Sequence, residues 1–265
     1  MPNRHAVLVA AALMLAGACG ANPARPTPPP PVVEPPPPPP PPPPEPAPVL
    51  SITRILAFGD SMTAGTTSEP LASSFAFSPG LPESYPYKLQ ELLAARYTDQ
   101  SIETENAGKP GEFVSAGRER LDGVLTEAQP EVLLLMEGAN DLNRSARLSG
   151  SALTAAIQDT VNDIEDMVRE AQRRNVTVML ATLPPQREDS PKGSAARFLS
   201  RYNDGLKAMA AKKGAILIDV NSEMPLSLIG QDGLHPTEEG YRVIAEVFAS
   251  ALAAYYEVTD PPAAR

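Results

Sequence analysis

Ser61 sits in the stretch Phe58-Gly59-Asp60-Ser61-Met62-Thr63-Ala64-Gly65, directly behind the apolar run Ile55-Leu56-Ala57. A serine hydroxyl becomes a nucleophile only when a base takes its proton and aimed donors receive the oxyanion its attack creates. The chain holds two histidines, His5 and His235, and His5 lies in a segment with the marks of an export signal. His235 is therefore the candidate general base, since one histidine is too few for a His-rich zinc site and enough for a serine triad. Asp232 stands three residues before it, in Asp232-Gly233-Leu234-His235-Pro236. On a short glycine-containing turn its carboxylate could orient and charge-stabilise an imidazole, or it could be a plain turn former. Pro236 favours an extended His235 and is expected at the first position of the final helix.

These residues need elements to hold them at one place. Arg54 to Phe58, Val132 to Glu137, Val176 to Thr182 and Ala215 to Val220 read as strands, mostly continuous apolar runs suited to burial on both faces. Ser101 to Glu105 is a weaker fifth strand, whose alternation suits an edge. Helical spacing appears at Tyr85, Leu89, Leu92 and Leu93, at Ile157, Val161, Ile164, Val168 and Ala171, and at Val243, Val247, Ala251 and Tyr255. These stripes are read as core. Strands alternating with helices predict an α/β fold, a parallel sheet with helices on both faces, in a single domain over residues 50–258.

In such sheets the ligand site lies beyond the carboxyl ends of the strands. Four small polar clusters qualify: Gly59-Asp60-Ser61, Asn106-Ala107-Gly108-Lys109-Pro110-Gly111, Gly138-Ala139-Asn140-Asp141, and Asp232 to Pro236. Each alone is an ordinary turn or helix-start signal. In order and spacing, the four together resemble the blocks of the SGNH, or GDSL, hydrolase family over residues 54 to 255, with Met62 in place of the label's leucine and Ala139 in place of a common glycine.

The resemblance implies a three-layer, flavodoxin-like α/β/α sandwich with a mainly parallel five-stranded sheet. It implies a catalytic set of Ser61, Asp232 and His235, with Asp60 a structural partner that ties down the serine loop. It also implies an oxyanion hole from the Ser61 N–H, the Gly111 N–H and the Asn140 side chain. Gly111 is preferred to Gly108 because the family's donor usually lies five residues after the block's asparagine, here Asn106; Gly108 then reads as a turn glycine. Gly59 and Gly65 are expected to let the chain turn sharply around Ser61.

The flanks carry other information. Arg4, the run Ala6 to Ala18 and then Cys19 read as an export signal over residues 1–18. At about thirteen residues the run is too short for a membrane span of about 20. Ala16-Gly17-Ala18 fits ordinary secretion, whereas Cys19, the one cysteine of the chain, stands where lipoproteins are lipidated. Lipid anchoring at the cell envelope, in the outer membrane or periplasm, is the preferred expectation and plain secretion the alternative. Residues 19–49 are a proline-rich linker, unbroken proline from Pro35 to Pro44, that as polyproline II could reach on the order of 90 Å. Residues 259–265 read as a disordered tail.

A net charge of −10 argues against the basic surface that a nucleic-acid partner requires, and no such partner is expected. The chain shows no Gly-x-Ser-x-Gly elbow, Walker loop, dinucleotide fingerprint or Cys-x-x-Cys pair. The expectation is a monomeric exported serine esterase that needs no metal or organic cofactor, whose partner is a small-molecule or carbohydrate ester. Thr66 to Ser84 and Pro184 to Arg201 are the long segments that could frame its pocket, and they hold no long apolar lid. That favours short acyl or O-acetyl groups. Lysophospholipid or thioester hydrolysis, acyl transfer to an alcohol, and a non-catalytic glycan-binding module remain open.

Overall fold

The structure is a computed structural model and describes residues 47–68 and 83–258. The export signal, Cys19, the linker up to residue 46, residues 69–82 of the Thr66 to Ser84 segment read as framing a pocket, and the 259–265 tail lie outside the described residues. The chain enters through β1 (Val49–Leu50), β2 (Arg54–Gly59) and the short α1 (Ser61–Ala64). Then come α2 (Tyr85–Arg96), β3 (Glu103–Gly108), α3 (Val114–Ala128), β4 (Val132–Met136) and α4 (Ala139–Ser145). The second half holds α5 (Gly150–Arg173), β5 (Thr177–Ala181), α6 (Leu199–Lys213), β6 (Ile216–Ile218), α7 (Val220–Glu223), α8 (Glu238–Tyr256) and β7 (Glu257–Val258).

Five parallel strands form one sheet in the order β3-β2-β4-β5-β6. The run Leu133-Leu134-Leu135 is completely buried, as a strand covered on both faces must be. Leaving β2, the chain steps to one side for β3 and to the other for β4. Because crossovers are right-handed, that reversal puts α2 and α8 on one face and α3, α5 and α6 on the other. Tyr85 of α2 stacks on Phe248 of α8 with ring centroids 5.3 Å apart. The reversal makes the carboxyl end of β2 the switch point, where an open sheet leaves a crevice. A two-residue antiparallel ribbon joins the domain's ends, pairing Val49 with Val258 and Leu50 with Glu257. Val49, read from sequence as the last linker residue, thus belongs to the folded domain.

Three sequence readings change. The edge strand β3 runs from Glu103 to Gly108, so Asn106-Ala107-Gly108 pair with Ala57-Phe58-Gly59 and are strand, not the turn after it. On α8 the buried face is Tyr241, Ile244, Ala245, Phe248 and Leu252, whereas Val243, Val247 and Ala251 are half-buried and Tyr255 is 61 % exposed. The run Val247-Phe248-Ala249-Ser250-Ala251-Leu252 is apolar almost all round, so spacing alone cannot choose its inner face. Pro236 is not the first helical residue. Thr237 is the N-cap, its hydroxyl accepting from the Gly240 N–H, and the chain before it is held extended by a bridge between Ile229 and Pro236.

Candidate active site

The register levels the ends of β2, β3 and β4, because Gly59 lies opposite both Gly108 and Met136. Ser61 is the first residue of α1, so its N–H has no acceptor within the helix. Asp60 is the N-cap: its carboxylate accepts from the Met62 N–H at 3.0 Å and from the Ala139 N–H at 3.3 Å, tying the serine turn to the start of α4. Full burial pushes the Asp60 carboxyl up to about 6, against the pull of those two N–H groups and with Asp141 and Glu112 adding to the rise. The two glycines divide the work. Gly65 takes a left-handed φ of 92° and ends α1, whereas a side chain on Gly59 would strike the Met136 carbonyl of the neighbouring strand.

The histidine loop comes from the other half of the chain. Gly230 N–H donates to His235 O at 2.8 Å and Thr237 N–H to Leu228 O at 2.8 Å, so His235 emerges from extended, paired backbone. Its Nδ1–H donates to Asp232 Oδ2 at 2.6 Å, which leaves Nε2 as acceptor, 2.9 Å from Ser61 Oγ. The other oxygen of Asp232 accepts from the Leu234 and His235 N–H groups, each at 3.0 Å. Burial works to raise the Asp232 carboxyl, but the bonds from Leu234 and His235 outweigh it and hold it below the usual carboxylate range. Burial lowers the His235 imidazole against the attraction of Asp232, keeping the ring neutral and proton-accepting at neutral pH. Ser61 and His235 are 5 % and 3 % exposed.

Asn140 is the second residue of α4, and its Nδ2 donates to the Glu112 carbonyl at 2.9 Å. An amide nitrogen has two hydrogens, so this bond aims the second one. It also links Asn140 to the loop that carries Gly111. In that loop Gly111, with φ 78° and open space around it, makes the turn. Gly108 is a packing glycine, since a Cβ on it would collide with the Ala64 backbone nitrogen as α1 passes over β3.

Several neighbours were not visible in the sequence because only the folded loops bring them and their partners together. Arg120 grips Glu112 through Nε at 3.1 and 3.2 Å and Nη2 at 2.6 Å, donates to the Ala107 carbonyl at 3.0 Å and lies 4.0 Å over the Phe58 ring. This anchors the Gly111 loop to β2 and β3. Asp141 accepts from Val114 N–H at 3.0 Å and so caps α3. Lys192 donates its N–H to the Asp232 carbonyl at 2.7 Å and holds its Nζ 3.4 Å from Oδ2. Glu137, 1 % exposed, has no hydrogen-bond partner on either oxygen among the described residues and abuts Gly117, where a Cβ would stand 2.6 Å from Oε1. Burial, then Asp60 and Glu112, push its carboxyl well above the usual range. Among the described residues no cluster of His, Cys, Asp or Glu is placed to hold a metal ion.

A hydroxyl bonded to a buried imidazole beyond the carboxyl ends of a parallel sheet is an arrangement that can carry nucleophilic acyl transfer. Residues 57–243 match the GDSL-like Lipase/Acylhydrolase family, and the chain belongs to it. The fold is shared with a lipase/acylhydrolase from Enterococcus faecalis at 22 % identity, covering 80 % of this chain and 100 % of that one, with a TM-score of 0.63. It is shared too with Axe2, an acetylxylan esterase from Geobacillus stearothermophilus, at 20 % identity, covering 77 % and 94 %, with a TM-score of 0.59. In sequence the chain is 24 % identical over 238 residues to a multidomain esterase of Ruminococcus flavefaciens; the match takes in 79 % of this chain and 29 % of that protein.

Proposed function

We propose that this protein is an exported serine esterase that removes short acyl groups, acetyl foremost, through an acyl-enzyme on Ser61. Nε2 of His235 takes the hydroxyl proton as Ser61 Oγ attacks the ester carbonyl, and Asp232 stabilises the imidazolium. The oxyanion is received by the Ser61 N–H, the Gly111 N–H and the second Nδ2 hydrogen of Asn140. When the tetrahedral intermediate collapses, the C–O bond to the alcohol breaks and the proton on Nε2 passes to the departing oxygen. Water, deprotonated by the same nitrogen, then releases the acid and restores Ser61.

The observation that carries this reading is the chain of contacts from Ser61 Oγ to His235 Nε2 at 2.9 Å and from His235 Nδ1 to Asp232 Oδ2 at 2.6 Å. The preference for short acyl groups is supported by the segment Pro184 to Arg201, which forms one short 3-10 turn and the start of α6 and no apolar lid helix. The acetylxylan esterase that shares the fold supports it at the level of analogy. Hydrolysis of p-nitrophenyl acetate, abolished in Ser61→Ala and His235→Ala, is the expected result. Faster turnover of the palmitate ester would overturn the acyl preference, and equal rates in wild type and both variants would overturn the mechanism. Attachment through a lipid on Cys19 belongs to the same proposal, and an unmodified mature Cys19 by mass spectrometry would refute it.

A further inference from the structure

Lys192 meets Asp232 at two places. Its backbone N–H donates to the Asp232 carbonyl at 2.7 Å, and its Nζ stands 3.4 Å from Oδ2, the oxygen that also accepts from His235 Nδ1–H. The carbonyl of Lys192 in turn accepts from Asn143 Nδ2 at 2.8 Å, while Asn143 Oδ1 accepts from the Ala195 N–H at 3.3 Å. Asn143 belongs to α4, the helix that carries Asn140, so the backbone of Lys192 is braced between that helix and the histidine loop. Close packing fixes the same contact, since a Cβ on Gly233 would strike Ser190 Oγ and one on Gly193 would strike the Arg187 carbonyl. The ammonium is therefore brought to Oδ2 by fixed backbone, although the Lys192 side chain is 53 % exposed.

We propose that Lys192 is a positioning residue that acts through Asp232: its ammonium shares Oδ2 with the imidazole and extends the activity of the esterase toward lower pH. The inference rests on the esterase reading above. A lysine ammonium is a compact point charge, and one held two contacts from the ring repels the imidazolium that Asp232 attracts. Among the described residues, the other titratable groups around the histidine loop are Asp60 beside Ser61, Arg187 on the Ile229 carbonyl, and Glu238, Glu239 and Tyr241 at the start of α8. The charges that act on the ring itself are Asp232, which raises its proton affinity, and Lys192, which joins burial in lowering it. Charge and brace are separable, because the backbone bonds of Lys192 to Asp232 and Asn143 remain when its side chain is replaced.

The test compares the full chain with Lys192→Met and Lys192→Arg, reading kcat/KM on p-nitrophenyl acetate from pH 5 to pH 8 at about 0.05 M and about 0.5 M salt. At low salt Lys192→Met should move the half-maximum of the rise up by about 0.3–1 pH unit, the size expected of one partly exposed charge near the ring. Lys192→Arg should follow wild type, and added salt should move wild type toward Lys192→Met, because screening weakens an exposed charge. The titration of Asp60 is common to all three proteins and does not separate them. The imidazole signal of His235 in NMR, the one missing from His235→Ala, should shift its midpoint in the same direction with no substrate present. An unmoved or lowered midpoint in Lys192→Met, an equal shift in Lys192→Arg, or a uniform loss at every pH with a lower urea midpoint overturns the inference and leaves the esterase standing. No turnover above the Ser61→Ala background overturns the esterase reading, and the NMR midpoint alone then decides whether Lys192 acts on the ring.

Discussion

Replacing Arg120 by Met should cost this protein more than replacing its partner Glu112 by Gln, although both changes break the same ion pair. The Glu112 side chain is 1 % exposed and that of Arg120 is 24 % exposed, so the two ends of the bond differ in what they fall back on. Without Arg120, a buried carboxylate keeps only Lys109, a 61 % exposed ammonium 3.2 Å away. Without the charge on Glu112, the guanidinium can turn to water and still lie over Phe58. Breaking a buried pair from the side that strands a charge costs about 3–5 kcal/mol, and the surviving Lys109 reduces that to about 2–4 kcal/mol. Glu112→Gln should cost about 1 kcal/mol, and the double variant should be more stable than Arg120→Met alone. Urea unfolding of the four proteins measures this, and Tm should fall by about 2–4 °C per kcal/mol in a domain of this size. The same pair holds the loop whose carbonyl anchors Asn140, so kcat on p-nitrophenyl acetate should fall in Arg120→Met with little change in KM. An Arg120→Met protein as stable as Glu112→Gln would refute the argument from unequal burial.

Asn140→Ala removes an aimed donor and should lower kcat about 10²- to 10³-fold while leaving the unfolding midpoint nearly unchanged. The profile of kcat/KM against pH should rise to a half-maximum below 6.5, because a buried His235 must shed its proton to act and burial lowers its affinity for that proton; a midpoint above 6.5 would contradict the environment described. Gly108→Ala should destabilise beyond the about 1–3 kcal/mol of ordinary overpacking, since the struck atom is backbone and cannot rotate away. Gly111→Ala, in open space, should cost only the about 1–2 kcal/mol of a left-handed residue, and urea midpoints separate the two. For Glu137 the native state holds a proton that the unfolded chain releases above 4.5, so its share of stability is complete below 4.5 and is lost as pH rises toward the elevated native value. Glu137→Gln should therefore gain on wild type between pH 5 and pH 8, and parallel stability curves would refute it.

What the sequence announced and what it withheld follow from the range of the interactions involved. Leu133-Leu134-Leu135 and the stripe from Ile157 to Ala171 were legible because burial on two faces or on one leaves a local pattern. The inner face of α8 was not, because its apolar residues surround the axis. Strand β3 was read too short since Asn106 and Gly108 are poor strand formers, held there by pairing with β2 and by the close passage of α1. The geometry among Ser61, His235 and Asp232 answered to a serine after a strand and a single histidine in the domain. Arg120 on Glu112, Lys192 on Asp232 and the unpaired Glu137 left no mark in spacing, because each depends on contacts that only the folded sheet creates.

The small ribbon of β1 and β7 sets how the domain can be held. Its two strands lie at the start of β2 and the end of α8, while Ser61 and His235 lie at the opposite ends of those same elements. A strand of 6 residues and a helix of 19 residues span about 20 Å and about 28 Å, so both put the ribbon at least about 20 Å from the candidate site. The points where the domain's chain ends at Val49 and Val258 therefore lie at the end of the sheet away from Ser61 and His235. A substrate too large to enter, such as an insoluble polymer, can then be approached head-on without those ends standing in its path.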